Sequence, residues 1–260
     1  MGDAIYKPLI DDMTWSYSRI GSYNNCPYKF YLEYIMGCKS EDMFYSSYGS
    51  FIHKLIEQYY NKEITKPEML MKFLTEFSSA VKGVRPSEKV VKNYIDAGRE
   101  YLLGFKEFPY NMIAVEKRVD FKISEYKFVG YIDFLGEKDG DLYIVDNKSR
   151  SLKPRSGKAE PTANDKEIDK MLRQLYIYSS AIFQEYGVYP KALCFNCFKN
   201  GVFIEEQFDK QKYKEALEWA VSSIEEIANT EDFEPNEDYF LCRYICGVRN
   251  HCIYNIESRK

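Results

Sequence analysis

Three side chains can be brought together for chemistry by a short stretch of backbone: Asp133, Asp146 and Lys148. They lie in two runs rich in Val, Ile, Tyr and Phe that flank Asp139-Gly140, and an Asp-Gly pair so placed predicts a two-residue hairpin turn. With that pair as the loop, Lys138 faces Asp141, and counting back along both strands sets Asp133 opposite Asp146. Opposed side chains have Cβ atoms roughly 5 Å apart, and like charges there repel, so the pair calls for a cation. The strand period of two puts Lys148 on the same face as Asp146. Two carboxylates suit a hard divalent ion such as Mg2+ or Mn2+. The ammonium beside them would steady a developing negative charge or orient a water.

The rest of the chain supplies the elements that hold these groups. Residues 111–123 read as strands leading into the hairpin, and 190–197 with 201–207 as a second hairpin that completes the sheet. Residues 14–36 read as two short aromatic helices broken at Cys26-Pro27, where Pro27 suits a first helical position. In 46–61, Phe51, Leu55, Ile56 and Tyr59 recur at helical spacing, and His53 and Glu57 share a face. Two charged helices between residues 66 and 108 cap the sheet without asking for chemistry. A helix over 166–186 sets Gln174 and Tyr178 one turn apart, and another covers 210–229. The segment after Lys148 is rich in Ser, Gly and Pro and predicts a mobile loop. Its Arg150, Lys153, Arg155 and Lys158 lie where a phosphate backbone would pass and would steepen the salt dependence of binding.

Composition bounds the function. A chain of 260 residues, 45% hydrophobic and 17% aromatic, can bury a sizeable core. A formal net charge of -4 excludes a generally basic coat, so nucleic acid must be met by a local track. No run approaches the roughly 18 apolar residues of a membrane span, and the start lacks the apolar region of a secretory signal, so a soluble cytoplasmic protein without membrane contact is expected. No Walker A string is present, which places any helicase motor on another chain. Seven cysteines, an odd number, fit thiols or metal ligands better than a disulfide framework. Cys194 and Cys197 lie on a strand, point to opposite faces and read as small buried hydrophobes. Cys242, Cys246 and Cys252 cluster with three and five residues between them.

GYID followed by IVDNK resembles the PD-(D/E)xK nuclease core: Asp133 matches the first acid, Asp146 the second, where Glu is commoner, and Lys148 the lysine. The string SYSRIGSYNNCPYKF resembles the amino-terminal signature of RecB-like nucleases that carry an iron-sulfur cluster, a group including CRISPR-associated spacer-acquisition nucleases and the AddAB helicase-nuclease. This resemblance implies that Cys26 is the lone amino-terminal cluster ligand. The string from Gly49 to Glu57 is similar to the helix that gives the active-site metal a histidine, which implies His53 as a ligand and Glu57 as a supporting residue. Glu116, in V-E-K-R-V, resembles an acidic position upstream of the first aspartate. Q-x-x-x-Y implies that Gln174 and Tyr178 contact DNA or the lysine.

With Cys26, the three late cysteines make a four-thiolate set suited to a [4Fe-4S] cluster or a zinc ion. The resemblance implies iron-sulfur, acting as a staple between the chain ends. The late spacing departs from the family pattern, His251 is an alternative ligand, and Cys38 is set aside as too far from the signature.

The expected fold is therefore a mixed α/β sheet flanked by helices, a restriction-endonuclease-like core. It divides into an N-terminal helical region (1–108), a nuclease core (109–208) and a C-terminal helix with the cysteine region (209–260). The resemblance implies a DNA exonuclease preferring single strands or ends, with Asp133, Asp146, His53 and the backbone carbonyl of Asn147 holding one or two Mg2+ or Mn2+ ions. A structure-specific endonuclease and a non-catalytic iron-sulfur DNA-binding or CRISPR-adaptation module are the alternatives. A helicase or CRISPR-adaptation partner and a stand-alone prokaryotic or phage role both stay open.

Overall fold

The computed structural model describes residues 5–255, so the outermost ends of the first and last expected divisions lie outside it. Asp139 and Gly140 take φ of 55° and 85°, the left-handed pair of a type I′ turn, whose twist matches that of the strands it joins. They close a hairpin between β2 (Tyr126–Lys138) and β3 (Asp141–Lys148). Pairing runs from Lys138 with Asp141 to Phe134 with Val145, the register expected from a two-residue loop. β1 (Asn111–Ile123) is one long strand antiparallel to β2. β4 (Ala192–Cys197) runs parallel to β3, and β5 (Val202–Gln207) returns antiparallel to β4, giving the order β1-β2-β3-β4-β5. Six consecutive residues of β3, Leu142 to Asn147, are buried, as befits a central strand covered on both faces.

Helices fill both sides. Ahead of the sheet come α1 (Lys7–Asp11), α2 (Tyr17–Asn25), α3 (Pro27–Phe30), α4 (Phe44–Tyr60), α5 (Lys66–Ala80) and α6 (Glu88–Leu103). Between β3 and β4 lies α7 (Ala163–Tyr186), and after β5 comes α8 (Lys210–Ala228). Local chemistry sets their ends. Thr65 with Glu68 and Thr162 with Asp165 form reciprocal capping boxes at α5 and α7, and Gly187 ends α7 at φ 74°. The break at Cys26 separates α2 from α3, which runs on into a π-helical turn, Tyr31–Ile35. A second π-turn, Leu241–Ile245, carries Cys242.

Alternation along β3 divides the core. Leu142 and Ile144 join the cluster shared with α2, α7 and α8, while Tyr143 and Val145 face Phe108 and Tyr110 on the other side. Cys194 and Cys197, both fully buried, fall one on each side. α4, α5 and α6 pack their own aromatic layer against Phe198, just beyond β4. Among the described residues no helix is long and apolar enough to cross a membrane.

The expected mobile loop after Lys148 has no regular structure but is well tied. Asp165 accepts hydrogen bonds from the backbone and hydroxyl of Ser156 and of Thr162. Asn164 brackets the backbone of Lys153, and Asn200 Nδ2 donates to the Leu152 carbonyl. A Ser/Gly/Pro composition signals loop geometry but says nothing of the side chains that fasten it.

Candidate active site

Regular pairing of β2 with β3 stops at Phe134 and Val145, one position short of Asp133 and Asp146. There the Asp133 carboxylate takes over from the strand ladder: its Oδ2 accepts the backbone N–H of Asn147 at 2.7 Å. On its other side Asp133 is flanked by β1, where Val115 pairs with Phe134 and Lys117 with Ile132. That register puts Glu116 across from Asp133, so acids from β1, β2 and β3 occupy one row of the sheet. Glu116 has φ 45°, a left-handed backbone that costs a non-glycine residue of order 1–3 kcal/mol. The distortion sits at the β1 residue whose carboxylate joins the cluster.

Helix α4 brings His53 onto this row. Its Nδ1 lies 3.4 Å from Asp133 Oδ2 and 3.9 Å from Glu116 Oε1, and its Nε2 lies 2.8 Å from the Asn147 carbonyl oxygen. Donor atoms of His53, Glu116 and Asp133 all fall within 4.8 Å of one another. Asp146 Oδ2 is buried and sits 2.7 Å from Lys148 Nζ in an ion pair, with no other partner among the described residues. Lys148 Nζ also donates to Gln174 Oε1 at 2.9 Å, and Gln174 Nε2 donates to the Tyr178 hydroxyl at 3.3 Å. The Tyr178 ring lies against the backbone of Gly130, where a Cβ would come within 2.5 Å of it. The glycine of GYID is thus the seat of the tyrosine that fixes the lysine's partner.

Electrostatics mark the row as a site short of positive charge. The pKa of Asp133 is pushed up by burial and by the charges of Asp146 and Glu116, against the opposing pull of His53 and the Asn147 N–H. Burial alone would lower His53, but Asp133, Glu116 and Asp146 outweigh it and raise it to about 9. Lys148 is likewise disfavoured by burial, yet Asp146 and Asp133 carry its pKa above the ordinary value. Asp133 and His53 therefore hold more protons folded than unfolded, so their contribution to stability without metal is greatest at low pH. It declines as pH rises from the ordinary carboxylate range near about 4 through about 9, where His53 loses its proton. A divalent ion displaces those protons. The rise in melting temperature on adding Mn2+ is accordingly larger at pH 8 than at pH 6 by scanning fluorimetry; an equal or smaller rise at pH 8 would contradict the charge assignment.

One network was not read from the sequence. The Asn147 side chain points away from the acids, and Asn196 Nδ2 on β4 donates to its Oδ1 at 2.6 Å and to the Tyr101 hydroxyl at 2.7 Å. Asn147 and Asn196 are 3% and 5% exposed, so this pairing fixes the peptide whose carbonyl faces His53. A lone Asn in the apolar string ALCFNC was the available signal. Replacing it with Leu strands a buried oxygen, and groups that orient a ligand are worth about 10- to 100-fold in metal affinity. Asn196→Leu is expected to weaken Mn2+ binding by that factor in isothermal titration, with a smaller effect for Tyr101→Phe.

The other expected residues are placed as follows. Glu57, whose pKa rises through burial and the charge of Glu116, stands near the acids outside the ligand cluster. Arg155 is bound by Asp169 at 2.7 Å and Glu206 at 2.6 Å, and Arg150 pairs with Glu167. These two arginines pair with carboxylates of their own chain. The side chains of Lys153 and Lys158 have no partner among the described residues.

At the chain ends, Cys26 and Cys246 are buried and Cys242 and Cys252 partly so. Burial, then the nearby thiols of Cys26 and Cys252, raise Cys242; burial, together with the same two thiols, pushes Cys246 up to about 11. Asn236 N–H donates to Cys26 Sγ at 3.3 Å. No three of these sulfurs lie within 4.8 Å of one another. Cys38, set aside on spacing, packs against the cluster of Leu32, Cys246 and Val248, as does Cys252.

The model of the PD-(D/E)XK nuclease superfamily matches residues 14–253. The chain belongs to this superfamily. The nuclease is similar in fold to a Eubacterium rectale protein described as a "putative exonuclease", with a TM-score of 0.50 and 13% identity over 92% of this chain and 93% of that one. It also aligns with SSO0001 at a TM-score of 0.32 and 13% identity, over 92% and 96% of the two chains. Comparison with curated proteins gives no match. PD-(D/E)XK nucleases use divalent metals, and the oxygen and imidazole donors gathered around Asp133 suit such an ion.

Proposed function

We propose that this nuclease is a Mg2+- or Mn2+-dependent deoxyribonuclease, an exonuclease that prefers single-stranded DNA and carries a structural [4Fe-4S] cluster. The observation that supports the hydrolytic reading is the row of Glu116, Asp133 and Asp146 capped by His53, with Lys148 held beside Asp146. His53, Asp133, Asp146 and the Asn147 carbonyl would hold the ion, with Glu116 moved from a supporting position into the ligand cluster. A divalent ion here would polarise the scissile phosphate and lower the pKa of the attacking water. Lys148, kept charged by Asp146 and aimed by Gln174, holds the developing negative charge or orients that water. Exonuclease action is favoured by the description of the Eubacterium rectale neighbour.

The proposed cluster would be held by Cys26, Cys242, Cys246 and Cys252, a four-thiolate set drawn from both ends of the chain. Burial disfavours the thiolates of Cys242 and Cys246, which a cationic core would offset, and the Asn236 N–H is positioned to support the Cys26 sulfur.

Labelled single- and double-stranded DNA incubated with the purified protein and Mn2+ tests the reading, with Asp146→Ala as control. Shortening of single strands from an end, lost in the variant, is the expected result. No metal-dependent cleavage of any substrate would favour a binding module.

A further inference from the structure

The net charge of -4 leaves open where a polyanion would approach, and α7 supplies an answer. Three of its acids are engaged from within the chain: Asp165 accepts hydrogen bonds from Ser156 and Thr162, Glu167 pairs with Arg150, and Asp169 pairs with Arg155 and Lys212. Its cations Lys166, Lys170 and Arg173 have no carboxylate partner among the described residues. They recur at i, i+4 and i+7, one helical face, and lead over roughly 12 Å of helix axis to Gln174, which holds the catalytic lysine. An aromatic floor borders the stripe. Arg173 lies 4.4 Å over the Trp219 ring of α8, Trp219 packs at 5.8 Å against Tyr17 of α2, and the Tyr17 hydroxyl donates to the Lys170 carbonyl at 3.1 Å. The charges of Arg173, Lys148 and Asp146 all reach that hydroxyl, so floor and active site adjoin.

We propose that Lys166, Lys170 and Arg173, with Trp219 and Tyr17 beneath them, form the track along which single-stranded DNA enters the site. The proposal rests on the nuclease reading above and adds the approach to it. Cations without carboxylate partners spaced along a helix can follow a phosphate backbone, and the solvent-facing part of the half-buried Trp219 ring can stack bases without regard to sequence. A duplex keeps its bases stacked inside and offers nothing to Trp219. The arginines of the neighbouring loop act indirectly, neutralising the acids of α7 so that its cations stand free.

The test is fluorescence anisotropy of a labelled oligothymidylate in EDTA, titrated across salt. Single-strand binding loses about 0.7 in the slope of log affinity against log salt for each cation removed. The Lys166→Ala, Lys170→Ala, Arg173→Ala triple variant is therefore expected to lower the slope by about 2. Trp219→Ala is expected to weaken binding about tenfold. The chain has two tryptophans, and Trp15 is fully buried. Quenching of emission by the oligonucleotide should therefore vanish in Trp219→Phe. Wild-type protein that cleaves DNA while these variants keep its slope and affinity overturns the track and leaves the nuclease reading standing. Tighter binding of duplex through the same residues overturns the single-strand assignment. A wild-type protein that neither binds nor cleaves DNA overturns both.

Discussion

Asp133→Asn and Asp146→Asn each lower metal-dependent DNA cleavage by at least about a thousandfold, equivalent to roughly 4 kcal/mol of barrier, without unfolding the protein. Asp133 lies at the centre of the row: it faces His53 at 3.4 Å and accepts the Asn147 N–H. The amide keeps an acceptor for that N–H but loses the charge that a divalent ion needs. Asp146 carries the Lys148 ion pair at 2.7 Å, so its amide removes a metal donor and the counter-charge that keeps the lysine protonated. Stability separates chemistry from folding. Burial and the neighbouring acids already disfavour the Asp133 charge, so in EDTA at pH 8 the melting temperature of Asp133→Asn does not fall below that of the wild type. A variant that loses activity together with a large drop in melting temperature would point to a structural carboxylate instead.

Cys26→Ser is expected to produce the largest loss of stability. A cluster on Cys26, Cys242, Cys246 and Cys252 closes a loop of more than two hundred residues, and the chain-entropy relation for cross-links gives about 5 kcal/mol for such a loop. In a domain of this size that corresponds to roughly 10–20 °C in melting temperature. The proposed staple would join the α2–α3 break to the π-turn at Leu241–Ile245. The measurement is thermal unfolding of anaerobically purified protein beside its absorbance near about 400 nm. Loss of the band and of 10 °C or more, by that estimate, is the expected outcome; an unchanged melting temperature with no band in the wild type contradicts the cluster.

The parts of this site that could be read in advance are those governed by short-range backbone rules. Asp139-Gly140 allows both positive φ values, and from that turn the register of β2 on β3 follows by counting. Helical spacing places His53, Gln174 and Tyr178 on their faces, and the cap residues bound α5 and α7. Glu116 was harder to place because β1 and β2 are joined through Ser124-Glu125, a dipeptide with little turn preference, although Ser124 takes φ 51°. Without that turn the β1 register is unknown, and the left-handed kink at Glu116 has no local signature at all. Asn196 was missed for a different reason: its partners Asn147 and Tyr101 come from β3 and α6, and no periodicity links them. The ion pairs of Arg150 and Arg155 were not legible because a basic residue in a polar loop looks the same whether or not it meets an acid distant in sequence.

The most direct measurement is a crystal structure of the protein soaked in Mn2+, read by anomalous difference density. A peak bonded to His53, Asp133 and Asp146 and to the Asn147 carbonyl, with Glu116 beside it, is the predicted result. An ion bound elsewhere at full occupancy, with those donors left as they stand without metal, would contradict it.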